Sequence, residues 1–233
     1  MPLPITNRRN ASETIITLCM AGALLCPTVL LGQGGLLDPD FSTNGLHTFD
    51  FFQNGDCRAY SLELDQAGNM LTVGYNDLGS EEYIVFRRVL SDGTLGATGT
   101  GIFTFYQQIG SPTVNRGYAS ALRPDGKFFV GGRSLVPFTP AGAGLMFVAG
   151  FTPAGDLDDT FGWDIPFADE SSARAVELAP DGKVIVAGWT TTADELDFAL
   201  VRYNTDGTRD DSFSSDGRAT VDFQLDDYAH AIA

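Results

Sequence analysis

The chain has 233 residues, with 30 Asp and Glu against 14 Lys and Arg, 43% hydrophobic and 19% charged residues, 27 Gly and 11 Pro. Such a composition is neither disordered nor collagen-like and supports a buried core. A formal charge of −16 with two lysines, Lys127 and Lys183, argues against nucleic-acid and anionic-membrane surfaces, because both need clustered cations.

The first element is a leader. Arg8 and Arg9 precede Ile15–Leu31, an uncharged apolar run followed by Gly32-Gln33-Gly34-Gly35, the pattern of a secretory signal peptide over residues 1–32 with cleavage near Gly32. A retained membrane anchor would need about 20 apolar residues, and this run is shorter and interrupted by Pro27. Leu18 before Cys19 and Leu25 before Cys26 lack the small residue that a lipidation signal requires. Cleavage removes Cys19 and Cys26 and leaves Cys57 as the single thiol, so no intramolecular disulfide is expected. It also removes Arg8, Arg9 and Glu13, giving a mature chain of 12 basic and 29 acidic residues and a charge of −17. The expected location is secreted, cell-surface or periplasmic, in a bacterium, with no membrane span after cleavage.

Beyond the leader the chain repeats itself. Ala173-Arg-Ala-Val-Glu-Leu-Ala-Pro-Asp-Gly-Lys-Val-Ile-Val-Ala-Gly188 matches Gly117–Gly132, 56 residues earlier, and more weakly Ala59–Gly74, 58 residues before that. The following segment, Asp197-Phe-Ala-Leu-Val-Arg-Tyr203 and then Asp206-Gly207, corresponds to Tyr83–Val89 with Asp92-Gly93 and to Leu145–Phe151 with Gly155. Asp210-Asp-Ser-Phe213 and Asp216–Phe223 match Asp38-Pro-Asp-Phe41 and Asn44–Phe51, and Asp158-Asp-Thr-Phe161 is the middle copy.

Each unit holds four short β-type runs, the first two joined through Asp-Gly, which supplies the positive φ of tight hairpins. Val184–Ala187 and Phe198–Val201 are continuously apolar, which predicts strands covered on both faces. Small residues two apart in the first run, Ala59/Ser61, Gly117/Ala119 and Ala173/Ala175, suit a strand crowded near an axis. No helical period is evident beyond the leader.

Four antiparallel strands per unit of about 57 residues, stacked face to face, describe a β-propeller blade. A β-solenoid, the rival, uses shorter coils and strict alternation. The fold class is therefore all-β, a β-propeller of four-stranded antiparallel blades. The expected organisation is a last strand of a partial blade at 36–55, repeats at 56–115, 116–171 and 172–227, and the start of a further repeat at 228–233. This strand count predicts that the chain is part of a longer propeller.

The motif Ala-Arg-Ala-Val-x-Leu-x-Pro-Asp-Gly-Lys-Val-x-Val-Ala-Gly, then Asp-Phe-Ala-Leu-x-Arg-Tyr-Asn-x-Asp-Gly and Asp-x-Ser-Phe, resembles the bacterial delta-60 repeat. The third unit, Ala173–Phe223, matches almost throughout, and residues 36–233 match in degenerate form. The resemblance implies a secreted or surface-associated propeller without an established biochemical role. The first unit lacks the Asp-x-Ser-Phe element between Gly93 and Gly101, and the second has Ala154-Gly155 for Asp-Gly and an irregular stretch from Ser134 to Gly144.

Repetition separates blade-building residues from candidates for chemistry. His230 falls at the position of Arg174, Tyr118 and Tyr60, and His47 at that of Ala219, with no metal-ligand spacing around either. The aspartates around Asn204–Asp216 invite Ca²⁺, yet an EF-hand loop needs a carboxylate where Phe213 stands and a first ligand where Arg202 stands. Asp206, Asp210 and Asp211 are therefore read as turn residues, their calcium binding left open, with Arg88 and Arg202 each expected to pair with a neighbouring aspartate. Tyr118, Arg116 and Trp189 are placed to line a ligand mouth or to pack. No catalytic residue, metal site or cofactor is expected. The function expected is a binding or interaction module for an extracellular protein or glycan, and the alternative is a propeller hydrolase or lyase acting on a polysaccharide or lactone.

Overall fold

The computed structural model describes residues 37–48, 55–79, 81–97, 101–103, 114–135, 144–192 and 195–232, and the expected signal at 1–32 lies outside them. The described residues form strands and no helix, so none of their helices is long and apolar enough to cross a membrane. Strands β1 (Asp56–Leu64), β2 (Met70–Asp77), β3 (Glu82–Val89) and β4 (Gly101–Phe103) pair antiparallel in chain order. The same order recurs in β5 (Val114–Leu122), β6 (Phe128–Leu135), β7 (Gly144–Phe151) and β8 (Trp163–Asp164). It recurs again in β9 (Ser171–Leu178), β10 (Val184–Thr192), β11 (Glu195–Tyr203) and β12 (Arg218–Val221). One parallel pair, Glu82 with Val114, links the first two sheets. Consecutive antiparallel meanders of four strands are β-propeller blades, and a solenoid, which winds one parallel sheet, does not fit them.

The turns explain why the Asp-Gly signal recurs. In the β5–β6 hairpin the Arg123 amide donates to Lys127 O at 2.8 Å and the Gly126 amide to Arg123 O at 2.9 Å. That is a three-residue loop, with Pro124 and Asp125 in a type I turn and Gly126 at φ +86°, a combination only glycine adopts without strain. Asp125 Oδ1 accepts the Lys127 amide and locks the loop. After β11 the same bonds join Asn204, Gly207 and Thr208. One turn therefore serves both hairpin positions of the unit.

The Asp-x-Ser-Phe element has its own backbone signature. Phe213 N donates to Asp210 O and Gly217 N to Phe213 O, and 172 residues earlier Phe41 N donates to Asp38 O and Gly45 N to Phe41 O. The described part of the strand expected at 36–55 is this turn, and residues 49–54 of it lie outside the described residues.

Two apolar layers hold the blades together. Leu71, Val73, Ile84 and Phe86 of the first blade meet Phe128, Val130, Phe147 and Phe151 of the second, with the rings of Phe86, Phe128 and Phe151 at 5.0–5.1 Å. Ala119, Phe129, Met146 and Phe161 of the second meet Val184, Val186, Val201 and Tyr203 of the third. Blade two lies between neighbours, so β7 is buried throughout. The run Phe198–Val201 instead alternates half-buried and buried, because only one face of the third blade is covered by another described blade. For the same reason Leu62 is exposed, whereas its equivalents Ser120 and Val176 are buried.

Candidate ligand-binding mouth

Near its start each inner strand carries the same irregularity. The register slips between Ala59 and Ser61, between Gly117 and Ala119, and between Ala173 and Ala175 where β9 faces Ala187 and Gly188. Tyr60, Tyr118 and Arg174 are therefore bulged residues, left out of the ladder and re-aimed by it. The bulge imposes a rule on the second strand. A Cβ on Gly74, Gly132 or Gly188 would overlap the carbonyl of Arg58, Arg116 or Ser172 respectively, so the glycine at this position of each second strand lets the inner strand fold back over it.

The bulges gather rings and guanidiniums at the end where the inner strands begin. Tyr60 stacks on Tyr75 at 5.5 Å and meets Tyr118 edge-on at 5.2 Å. Arg58 lies over Tyr75 and donates to its hydroxyl at 3.1 Å. Arg116 lies 5.1 Å from the Tyr75 ring and forms a two-pronged ion pair with buried Glu82. Arg174 lies 4.3 Å from the Tyr118 ring. Among the described residues neither Arg58 nor Arg174 has a carboxylate partner. The Glu82 carboxylate raises the Arg116 pKa, while burial, reinforced by the Tyr60 hydroxyl, pushes the Tyr75 phenol above its usual value. Tyr60 is 49% exposed, which leaves a ring face open to solvent.

The set continues toward the third blade. Arg133 pairs with Glu170 and lies 5.6 Å from the Trp189 ring, and Trp189 meets Tyr228 at 6.1 Å. The indole N–H of Trp189 is buried without an acceptor among the described residues. Further along the inner strands, Ser120 Oγ donates to Ser61 Oγ at 2.8 Å. Beyond them half-buried Glu63 has its carboxyl raised, first by desolvation and then by the Glu177 charge.

The structure sorts the residues singled out in the sequence. Arg116 and Tyr118 meet, together with Tyr60 and Arg174, whereas Trp189 joins the neighbouring set. Exposed His230 stacks near Tyr228 at 6.3 Å, and His47 Nδ1 lies 3.0 Å from Ser42 Oγ. Cys57 is an exposed free thiol to which the Asn76 amide donates at 2.7 Å. A groove of about 480 Å³ beside the first blade is lined by His47, Cys57, Arg58, Thr72 and Val85 among others. Repeat arithmetic could have found Arg58, which stands where Arg116 does, and Tyr75, which stands where Arg133 and Trp189 do. Nothing in the sequence marked Glu82 or Glu170.

The aspartates of the third unit brace turns. Asp210 accepts from Lys183 at 2.7 Å, Arg202 at 2.6 Å and the amide and hydroxyl of Ser212. Its carboxyl is held far below the ordinary range, by Lys183 first. Lys127 and Asp158 repeat this pair in the second blade at 2.9 Å. Asn69 replaces the lysine in the first blade, where the aspartate is also missing, so the two charges enter and leave the repeat together. Arg202 thus has its expected aspartate. Arg88 reaches the Gly126 carbonyl instead, at 3.4 Å, because the first unit supplies no such aspartate. Asp206 accepts from Thr208 and Asp216 from Arg218. The carboxylates near enough to share one ion among the described residues lie elsewhere, at Asp197, Asp222 and Asp227, with ligand atoms within 4.8 Å of one another. Asp197 accepts the Thr192 hydroxyl, Asp222 the Gln224 amide and Asp227 the Phe223 amide.

A comparison with protein families matches residues 179–213 to the family described as Domain of unknown function (DUF5122) beta-propeller. That stretch runs from the turn before Lys183 to Phe213 and contains the whole Lys183–Asp210–Arg202 brace. No curated protein matches the chain. Over the matched residues the chain is similar to a β-propeller repeat family, in agreement with its blades.

Proposed function

We propose that this chain is an exported propeller of the delta-60 repeat type that serves as a binding or interaction module, its partner an extracellular protein or glycan. One observation carries the reading: the repeat fixes the scaffold and varies what the scaffold displays. The turn glycines and the bulge glycines recur in all three blades, while the bulged residue is tyrosine at Tyr60 and Tyr118 and arginine at Arg174. A position that is structurally constant and chemically variable is where a repeat protein places specificity. Export is supported by the apolar run Ile15–Leu31 and its small-residue flank. Mass spectrometry of material secreted from a bacterial host should find a new N-terminus near Gly32, and an intact Met1 in the membrane fraction would refute export. Glycan and protein arrays probed with the purified chain should give hits that Tyr60→Ala weakens.

The enzymatic reading has its own support in Glu63, whose carboxyl is raised by burial and by Glu177 as a general acid's would be. Turnover of a polysaccharide or lactone that Glu63→Gln abolishes would replace the module reading.

A further inference from the structure

We infer that the mouth formed by Arg58, Tyr60, Tyr118 and Arg174 binds the carboxylate-bearing sugar of an acidic oligosaccharide, an assignment that rests on the module reading above. Of the guanidiniums gathered there, Arg116 and Arg133 are committed to Glu82 and Glu170. Arg58 and Arg174 are held by ring faces and, for Arg58, the Tyr75 hydroxyl, so their planar forks remain available to a carboxylate. In a mature chain of charge −17 they are a local cationic spot within a repelling field. That combination admits one or a few carboxylates and disfavours a polyphosphate.

The rings set the rest of the ligand. Tyr60 presents half its surface on a cluster whose members lie 5.2–6.4 Å apart, a platform for the C–H face of a sugar. An extended peptide could add to β1, which among the described residues pairs only with β2, but strand addition is read through the backbone, whereas this rim offers ring faces and guanidiniums. Pre-organisation is built in, because Tyr75 is buried and fixes Tyr60, and Arg116 is fixed by Glu82.

The test is calorimetric titration of the full chain with tetragalacturonate, with its methyl ester and with cellotetraose. Tetragalacturonate should bind at least tenfold tighter than either neutral probe, and more weakly as salt rises. Arg174→Gln and Arg58→Gln should each weaken it about tenfold and Tyr60→Leu about fivefold, while Arg123→Gln, at the distant β5–β6 turn beside Asp125, leaves it unchanged. Near-ultraviolet circular dichroism of each variant reports whether it is folded, and exposed Arg58 supplies the second variant should Arg174→Gln perturb the bulge. Equal affinity for the ester, or indifference to both arginine variants, overturns the carboxylate assignment. Failure of tetragalacturonate alongside array hits on peptides overturns the sugar class and leaves the module reading standing. Failure on every array together with Glu63-dependent turnover overturns both.

Discussion

Replacing Gly132 by Ala tests whether the bulge is enforced by the second strand. The new Cβ would overlap the Arg116 carbonyl and approach Phe147 Cε1 to 2.7 Å, and Phe147 is fully buried between blades. Relief requires β5 to lift away, which costs about 1 kcal/mol for a lost ladder bond and about 2 kcal/mol for overpacking a filled layer. About 3 kcal/mol in total is in the upper range for single substitutions. With a urea slope of about 2.5 kcal/mol per molar for a chain of this size, the midpoint should fall by about 1 M. Gly74→Ala makes the same overlap with Arg58, but β1 is exposed from Asp56 to Tyr60 and can shift, so its midpoint should fall by less. Gly68→Ala, at φ +79° with nothing nearer than 3.5 Å, should cost about 1 kcal/mol, the backbone penalty alone. Urea denaturation of the three variants should rank them in that order. Equal midpoints for Gly132→Ala and Gly68→Ala would refute the bulge argument.

Phe128→Ala should cost about 4 kcal/mol by urea denaturation, since the ring is fully buried between Phe86 and Phe151; a loss under about 1 kcal/mol would show that the layer is loosely packed. Asp210→Ala should lower the thermal midpoint more than Asp211→Ala, because it strands Lys183 and Arg202, whereas Asp211 is exposed. Stability should also depend on pH in two opposite senses. The depressed carboxyls of Asp210 and Asp158 contribute stability that is complete above the unfolded carboxylate pKa near about 4 and is lost as pH falls through their folded values. Glu63 and Asp197 are raised, by burial first and then by neighbouring carboxylates, so they favour the fold when protonated and that contribution is lost as pH rises through their folded values. The thermal midpoint should therefore rise as pH falls through the folded values of Glu63 and Asp197 and fall again as pH drops through those of Asp210 and Asp158, and Glu63→Gln should flatten the upper limb.

The strands were legible because each unit states its turns in sequence. Pro-Asp-Gly-Lys specifies a loop in which every residue has a conformational task, and the apolar runs between loops have strand length. The covering of those runs was legible only where neighbours exist: β7 is buried on both faces, and Phe198–Val201 alternates because no described blade lies beyond it. The mouth was half legible. Arg116, Tyr118 and Trp189 drew notice by residue type, but the small residues that flank each bulge suit a crowded strand equally well, so the separation of Trp189 from the other two followed from strand register. Asp197, Asp222 and Asp227 converge across a chain return between β11 and the segment after β12, and no spacing rule for a local loop anticipates that.

The repeat divides each blade by how tightly its neighbours constrain a position. Gly132 is pinned by a carbonyl and a buried ring, and Lys183 by a buried carboxylate, so neither can change without loss of packing. The bulged residue escapes both constraints, because it has no ladder partner and its side chain is exposed at Tyr60 and half-buried at Tyr118 and Arg174. Mutation there alters what the blade offers and leaves what holds it intact. The coupled loss of lysine and aspartate in the first blade is the opposite case, two constrained positions that changed as one because a lone buried charge is costly. Specificity in such a chain is therefore expected to evolve at Tyr60, Tyr118, Arg174 and the equivalent His230, and stability at the glycines and braces. Substituting Arg174 by Tyr, the residue its two equivalents carry, should then leave the unfolding free energy from urea denaturation within about 0.5 kcal/mol of the parent while removing the cationic end of the mouth. A large loss of stability would place the bulge inside the scaffold after all.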